Sequence, residues 1–133
     1  MKKTLFLLLA TALVAGCAGG SPARRSEIAL DKYGPYLGDP VRSITAFRID
    51  SWESVDRDKV ILWTGIHQAY LITISGSCPD LMFAHRIGVT STGSQISTFD
   101  KIIVRRDQCL IETIRPIDVG LMRKDREALS KRP

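Results

Sequence analysis

The fold of this chain is decided by residues 60–74, which read VILWTGIHQAYLITI. Two apolar runs, residues 60–63 and 69–74, stand on either side of the five residues 64–68. Short apolar runs rich in β-branched and aromatic residues are typical of strands buried on both faces. A five-residue connection that contains glycine is typical of a hairpin loop. The stretch therefore predicts two central antiparallel strands.

Shorter strand patterns lie on both sides of this hairpin, and a helical pattern ends the chain. The predicted strands are, in chain order, residues 41–49, 60–63, 69–74, 87–89, 95–99, 101–105 and 110–114. Residues 91–94 and 106–108 supply the turns of two further hairpins, and residues 118–130 predict a short helix with Asp118 as its N-cap. The sequence thus predicts a mostly β (α+β) fold: a single small antiparallel meander or partly open barrel of about six to seven strands with a short C-terminal helix.

Residues 1–16 are typical of an export signal. Two lysines, Lys2 and Lys3, precede an apolar run over residues 4–16, which as a helix would span about 20 Å, short of the roughly 30 Å hydrocarbon core of a membrane. The run therefore predicts a removable signal peptide and not a membrane-spanning helix. Residues 14–17, Val-Ala-Gly-Cys, resemble the bacterial lipobox, in which the cysteine becomes a lipidated N-terminus.

The lipobox predicts the domain organisation and the compartment. We expect a signal peptide over residues 1–16, lipid attachment at Cys17, a flexible lipid-anchored tether over 17–40 and a β-rich globular domain with the C-terminal helix over 41–133. Ala18 stands where an aspartate would favour retention in the inner membrane, so the expected location is the bacterial cell envelope, at the outer membrane facing the periplasm. The membrane is then a partner through the N-terminal lipid.

Length and charge limit the partners further. The 133 residues leave room for one domain. Removal of residues 1–16 leaves 117 residues and, with the loss of two lysines, lowers the formal net charge from +5 to +3. A modestly basic chain in the periplasm meets no genomic DNA, so a nucleic-acid partner is not expected.

The cysteine count fits an oxidising compartment. Lipidation of Cys17 would leave two of the three cysteines, Cys78 and Cys109, and such a pair in the periplasm is expected to form a disulfide. The pair lacks the Cys-x-x-Cys spacing of redox motifs. Two free thiols are the main alternative, and a redox or metal role is a lesser one.

Motifs that carry chemistry are missing from the sequence. It contains no Gly-x-Ser-x-Gly, Ser-x-x-Lys or His-Glu-x-x-His pattern, so no catalytic residue, metal or cofactor is expected. Three side chains are weak candidates for contact with a ligand or partner: Trp52, before a predicted turn; His67, in the hairpin loop; and His85, beside a predicted strand. A triad of Ser91, His85 and Asp100 can be drawn, but no spacing supports it.

A scattered set of strand residues resembles a known family. It comprises Trp52, Asp56, residues 60–64, 69–72, 78–81, 85–89 and 99–104, Cys109, and residues 114–118. Over roughly residues 42–121 the chain is similar to a family of small proteobacterial lipoproteins, domain of unknown function 6491. The resemblance implies a lipid-anchored envelope protein with a disulfide-linked β-rich domain, and it implies no activity.

Together these features predict a non-enzymatic, lipid-anchored envelope protein that acts as a periplasmic binding module. Its partner would be an unidentified envelope protein or a cell-wall component. An alternative is an inhibitor of an envelope-attacking enzyme such as lysozyme, although an inhibitor of a cationic enzyme is expected to be acidic. A further alternative, a small hydrolase or metal-binding protein, requires His67 and His85 to converge in the fold.

Overall fold

A computed structural model describes residues 30–133 of the chain. The predicted signal peptide, the lipid-attachment residue Cys17 and the first part of the predicted tether lie outside these residues. The strands of the described part are β1 (Ser43–Thr45), β2 (Ser51–Asp56), β3 (Lys59–Gly65), β4 (Gln68–Ile74), β5 (Gly88–Val89), β6 (Gln95–Ser97), β7 (Lys101–Val104) and β8 (Asp107–Ile117). Short 3-10 helices span Gly34–Tyr36 and Pro79–Phe83, and the helix α1 spans Val119–Ser130.

The strands form one large and one small antiparallel sheet. The large sheet has six strands in the order β2-β3-β4-β8-β7-β5, and the small sheet pairs β1 with β6. The large sheet is curled into a half-barrel. The predicted mostly β fold, with a partly open barrel and a short C-terminal helix, is therefore confirmed. In the described part of the chain, no helix is both long and apolar enough to span a membrane.

The hairpin of β3 and β4 forms the centre of the large sheet, as its apolar runs predict. Side chains alternate between the two faces of a strand, so Val60 and Leu62 pack in one core cluster while Ile61 packs in another. All three are completely buried. Burial on both faces explains why these strands are almost continuously apolar.

The first core cluster contains the disulfide between Cys78 and Cys109. The two Cα atoms lie 6.0 Å apart, within the usual range for such bridges. The bond joins the start of the 3-10 helix Pro79–Phe83 to β8. The predicted pairing of these two cysteines is thus present, and it fastens the long connection between β4 and β5 to the sheet.

The second core cluster corrects the predicted tether. Tyr33 is 4% exposed and packs in this cluster with Val119 and Met122 of α1. Leu37 forms an isolated β-bridge with Ile117 of β8. Residues 33–38 are therefore not part of a flexible tether, because they pack beside the end of β8 and α1. The remaining part of the predicted tether, residues 17–29, lies outside the described residues.

Two strand predictions also differ from the structure. The predicted hairpin between residues 87–89 and 95–99 is wrong, because β5 pairs with β7 and β6 pairs with β1. The strand predicted over 41–49 shortens to β1, and Phe47 beyond its end is 89% exposed. Strand β2 was not predicted because it reads SWESVD and buries only Val55. The helix prediction is confirmed, since the Asp118 carboxylate accepts a hydrogen bond from the Leu121 N–H at 2.8 Å.

Candidate functional site

A cleft of about 500 Å³ lies where the edge strand β5 meets the turn between β7 and β8. Its volume falls within the range usual for sites that hold small molecules. Two short segments that are distant in sequence supply its walls, brought together by the pairing of Gly88 with Ile103. The lining residues are His85, Arg86, Ile87, Gly88, Ile103 and Arg105.

The floor of this cationic cleft is apolar because of the pattern of β7. Ile102 and Val104 point into the first core cluster, so Ile103, between them, points to the opposite face and stays half-buried. Its cross-strand neighbour on β5 is Gly88, which has no side chain to cover it. A Cβ atom added at Gly88 would lie 3.5 Å from the Ile103 Cβ. The glycine thus keeps this part of the floor open.

The rim of the cleft carries two positive charges. Arg86 and Arg105 are both exposed. Within residues 30–133, neither guanidinium group takes part in an ion pair or a side-chain hydrogen bond. Guanidinium groups remain charged at any physiological pH. The third polar side chain of the rim is the exposed His85.

Arg105 occupies an unusual backbone conformation. It and Arg106 form the two-residue turn between β7 and β8, and Val104 pairs with Asp107 across it. The φ angle of Arg105 is +53°, in the left-handed region where glycine and asparagine are favoured. An ordinary side chain there costs about 1 kcal/mol. The turn therefore carries an arginine at a position where local stability favours another residue.

A network of hydrogen bonds around Asp100 holds the strands beside the cleft. The Thr90 hydroxyl donates to Asp100 Oδ1 at 2.9 Å, and the Ser97 N–H and hydroxyl donate to Oδ2 at 2.8 and 2.9 Å. Burial would raise the pKa of Asp100, but the hydrogen bonds from Ser97 and Thr90 outweigh it and lower the pKa below its ordinary value. The Lys101 N–H also donates to the Thr90 hydroxyl at 2.8 Å. The carboxylate thus ties the ends of β5 and β6 to the start of β7.

The three predicted contact residues do not share one site. His85 lines the cationic cleft. Trp52 lies half-buried on β2 against the first core cluster, and His67 is exposed in the turn between β3 and β4.

The two histidines lie at opposite ends of β8. His67 precedes Ala69, which pairs with Ile117 at one end of β8. His85 precedes Gly88, which pairs with Ile103 of β7, and Ile103 pairs with Gln108 at the other end of β8. Gln108 and Ile117 are nine positions apart, which corresponds to about 30 Å along β8. A metal site that uses both histidines is therefore wrong, and residues 30–133 contain no cluster of three metal-ligating side chains.

The Ser91, His85 and Asp100 triad does not form either. Ser91 donates its hydroxyl hydrogen bond to the Gly93 carbonyl at 3.4 Å, while Asp100 accepts from Thr90 and Ser97. The carboxylate is thus occupied in the network that joins the strands.

Sequence reasoning identified His85 but not the other lining residues. In the sequence, the two adjacent arginines at residues 105–106 do not differ from ordinary solvated surface residues, and only the structure shows that they form a tight turn. Two signals could have found the site: arginine in a tight hairpin turn, where asparagine and glycine are expected, and Gly88 inside a strand, which often marks close approach of another group.

A second, smaller cleft of about 340 Å³ lies between residues 35–38, the end of β8 and α1. Its main polar groups already have partners. The Asp118 carboxylate caps α1, and the Tyr36 hydroxyl donates to Asp125 Oδ2 at 3.1 Å. It therefore offers less to a ligand than the cationic cleft.

Comparison with known proteins identifies a family. A model of a family of unknown function, DUF6491, matches residues 1–133, the whole chain. No curated protein and no solved structure matches the chain.

Proposed function

The chain belongs to the DUF6491 family, for which no function is known, and from its own residues we propose that it is a non-enzymatic, lipid-anchored binding protein of the cell envelope. Its globular domain holds an anionic partner in the cationic cleft. The partner is a component of the envelope that carries an anionic group.

One observation carries this proposal. Arg86 and Arg105 line the cleft together with the apolar floor at Ile103, and their guanidinium groups have no ion-pair partner within the described residues. Arginine forms its strongest interactions with carboxylate and phosphate groups. Beside an apolar wall, such an interaction is less screened by water than on an open surface.

The proposed anchor supports this role by concentrating the domain at the membrane. A lipid on Cys17 would hold the cleft within reach of a nearby partner and raise its effective concentration there. Acyl chains contribute about 0.8 kcal/mol per buried methylene, so two or more chains give stable anchoring. The outer membrane, facing the periplasm, is the proposed site because Ala18 follows the cysteine.

The cleft does not favour the lysozyme-inhibitor alternative. A cationic rim repels a cationic enzyme. The two arginines of the cleft suit an anionic partner instead.

The anchor is tested by exchanging the N-terminal segment. In the native bacterium, replacing residues 1–17 with a signal peptide that is cleaved without lipidation is expected to move the protein from the membrane fraction to the soluble periplasmic fraction. A variant that remains with the membranes would contradict the anchor.

The cleft is tested separately by crosslinking in intact cells. A photoreactive amino acid at His85 is expected to capture a discrete partner, and the same group at His67, on the opposite end of β8, serves as the matched control. The His85 crosslink should disappear when Arg86→Gln and Arg105→Gln are combined. Equal crosslinks from both positions, or crosslinks that survive the loss of both charges, would contradict the proposed site.

A further inference from the structure

The cationic cleft has two chemically different parts, and each restricts the ligand. The half-buried side chain of Ile103 forms the apolar floor, and the charged residues Arg86 and Arg105 line the cleft beside it. Ligand sites typically combine a mostly apolar lining with a few polar groups that set the orientation. A matching ligand has an apolar body and a single polar end.

The rim determines the charge of that polar end. The acidic residues closest in sequence to Arg105 are Asp100 and Asp107. Asp100 is held by hydrogen bonds from Thr90 and Ser97, and Asp107 forms no ion pair within residues 30–133. Two guanidinium groups from separate segments can both donate hydrogen bonds to one oxyanion. A cationic head would be repelled by the same pair.

The lining also distinguishes an amphiphile from a polymer. Among the described residues that line the cleft, none has a hydroxyl or amide side chain. A polysaccharide or an extended peptide needs polar partners along its length because its buried polar groups otherwise lose their hydrogen bonds. An alkyl chain has no such groups and needs only apolar contact.

From these observations we infer that the cationic cleft binds a single-headed anionic amphiphile, an alkyl chain that ends in one phosphate or carboxylate group. This inference rests on the proposed function, since it takes the cleft as the binding site. Lysophosphatidic acids and free fatty acids share the required chemistry. The oxyanion lies between the guanidinium groups of Arg86 and Arg105, and the alkyl chain lies on Ile103 in the space that Gly88 leaves open.

The test is a calorimetric titration of the full chain carrying Cys17→Ser, which removes the protein's own lipid. The probes are octyl phosphate, octanoate, inorganic phosphate and octyltrimethylammonium, each below its micelle concentration. Octyl phosphate or octanoate is expected to bind far more tightly than inorganic phosphate, and the cationic probe is expected not to bind. In a series of alkyl phosphates from hexyl to octyl, the affinity should rise up to about fourfold for each added methylene. The ratio of the affinities for octyl phosphate and octanoate shows whether the natural ligand ends in a phosphate or in a carboxylate.

Substitutions separate the two parts of the site. Arg86→Gln and Arg105→Gln are each expected to weaken binding about tenfold or more, whereas Lys124→Gln, an equal charge loss on the exposed face of α1, should have no effect. Gly88→Leu is expected to abolish binding by filling the space over Ile103. Gly88→Ala is its control, because its Cβ would make only ordinary contact at 3.5 Å. If Gly88→Leu fails to fold, the arginine variants still test the site.

The outcomes also separate this inference from the proposed function. Octyl phosphate and octanoate that bind no better than inorganic phosphate, or equally well to the arginine variants, would overturn the amphiphile. If the charge-dependent crosslink at His85 persists in that case, the cleft binds another class of anionic partner, such as an acidic peptide, and the proposed function stands. If the crosslink is also absent, both are overturned.

Discussion

Arg105, one of the two arginines of the candidate site, occupies a position where local backbone energetics favour another residue. Its φ of +53° suits asparagine better than arginine because the asparagine side chain is short and tolerates the left-handed region. Arg105→Asn is therefore expected to increase the free energy of unfolding by about 0.5–1 kcal/mol while it weakens binding of anions. Urea denaturation measures the first effect and calorimetric titration the second.

The matched control is Arg106→Asn in the same turn. Arg106 does not have a positive φ angle, so this substitution should leave stability nearly unchanged. If Arg105→Asn and Arg106→Asn changed stability equally, the backbone conformation of Arg105 would not be the cause.

Asp100 is the second residue whose surroundings make a specific prediction. Its pKa is lowered in the folded protein relative to about 3.9 in an unfolded chain. The folded state then binds fewer protons than the unfolded state, so the carboxylate contributes stability above about pH 4, and this contribution is lost as the pH falls through the folded pKa. Asp100→Asn should lower the free energy of unfolding by about 1–2 kcal/mol at pH 7, and the difference from the unsubstituted protein should shrink at pH 3.

Urea denaturation at the two pH values measures this difference. Asp107→Asn is the control, because this exposed carboxylate accepts no hydrogen bond among residues 30–133. A difference between Asp100→Asn and the unsubstituted protein that stayed constant from pH 7 to pH 3 would contradict the role of the charged carboxylate.

At the scale of elements, the sequence predicts the strands that have a clear local pattern, but it does not predict which strands pair when they are distant in the chain. β3 and β4 are predictable because both of their faces are buried, which makes the runs apolar. β2 lies at the edge of the sheet, and its polar composition hides it. β5 and β6 look like one hairpin because they are neighbours in sequence, but each pairs with a strand elsewhere, and no local pattern contains that information.

The disulfide is the element-scale feature that fastens the connection leading to the cleft. Cys78 and Cys109 are 31 residues apart, and closing a loop of this length contributes about 3.7 kcal/mol in the chain-entropy view. In the Cys17→Ser background, replacing both cysteines with alanine is expected to lower the free energy of unfolding by about 2–4 kcal/mol. Urea denaturation measures it.

A thiol count provides the independent check on the same bridge. The Cys17→Ser protein, unfolded without reductant, should contain no reactive thiol. Two reactive thiols per chain would contradict the bridge, and the stability loss of the double-alanine variant would then need another explanation.

At the scale of the whole molecule, the candidate site exists only because of the sheet topology. Residues 85–88 and 103–105 meet through the pairing of β5 with β7, so the sequence could single out His85 by its chemistry but not its companions. Arg86, Arg105 and Gly88 cannot be recognised as parts of one site from the sequence, because only the pairing of the strands brings them together. The fold also sets the boundary of the domain, since residues predicted as tether lie beside the last strand and the helix.

Tyr33 tests whether those residues are part of the folded core. Its ring is buried in the second core cluster, and its hydroxyl donates a hydrogen bond to Glu53 Oε2 at 2.8 Å. Removing a large buried ring costs about 3–5 kcal/mol, so Tyr33→Ala should lower the free energy of unfolding by about that amount in urea denaturation. Tyr33→Phe keeps the ring, loses one hydrogen bond and should cost only about 1 kcal/mol. Leu30→Ala, at a side chain that is 41% exposed, should have little effect. If Tyr33→Ala were as mild as Leu30→Ala, residues 33–40 would behave as a tether, and the domain would begin near residue 41 as its sequence predicts.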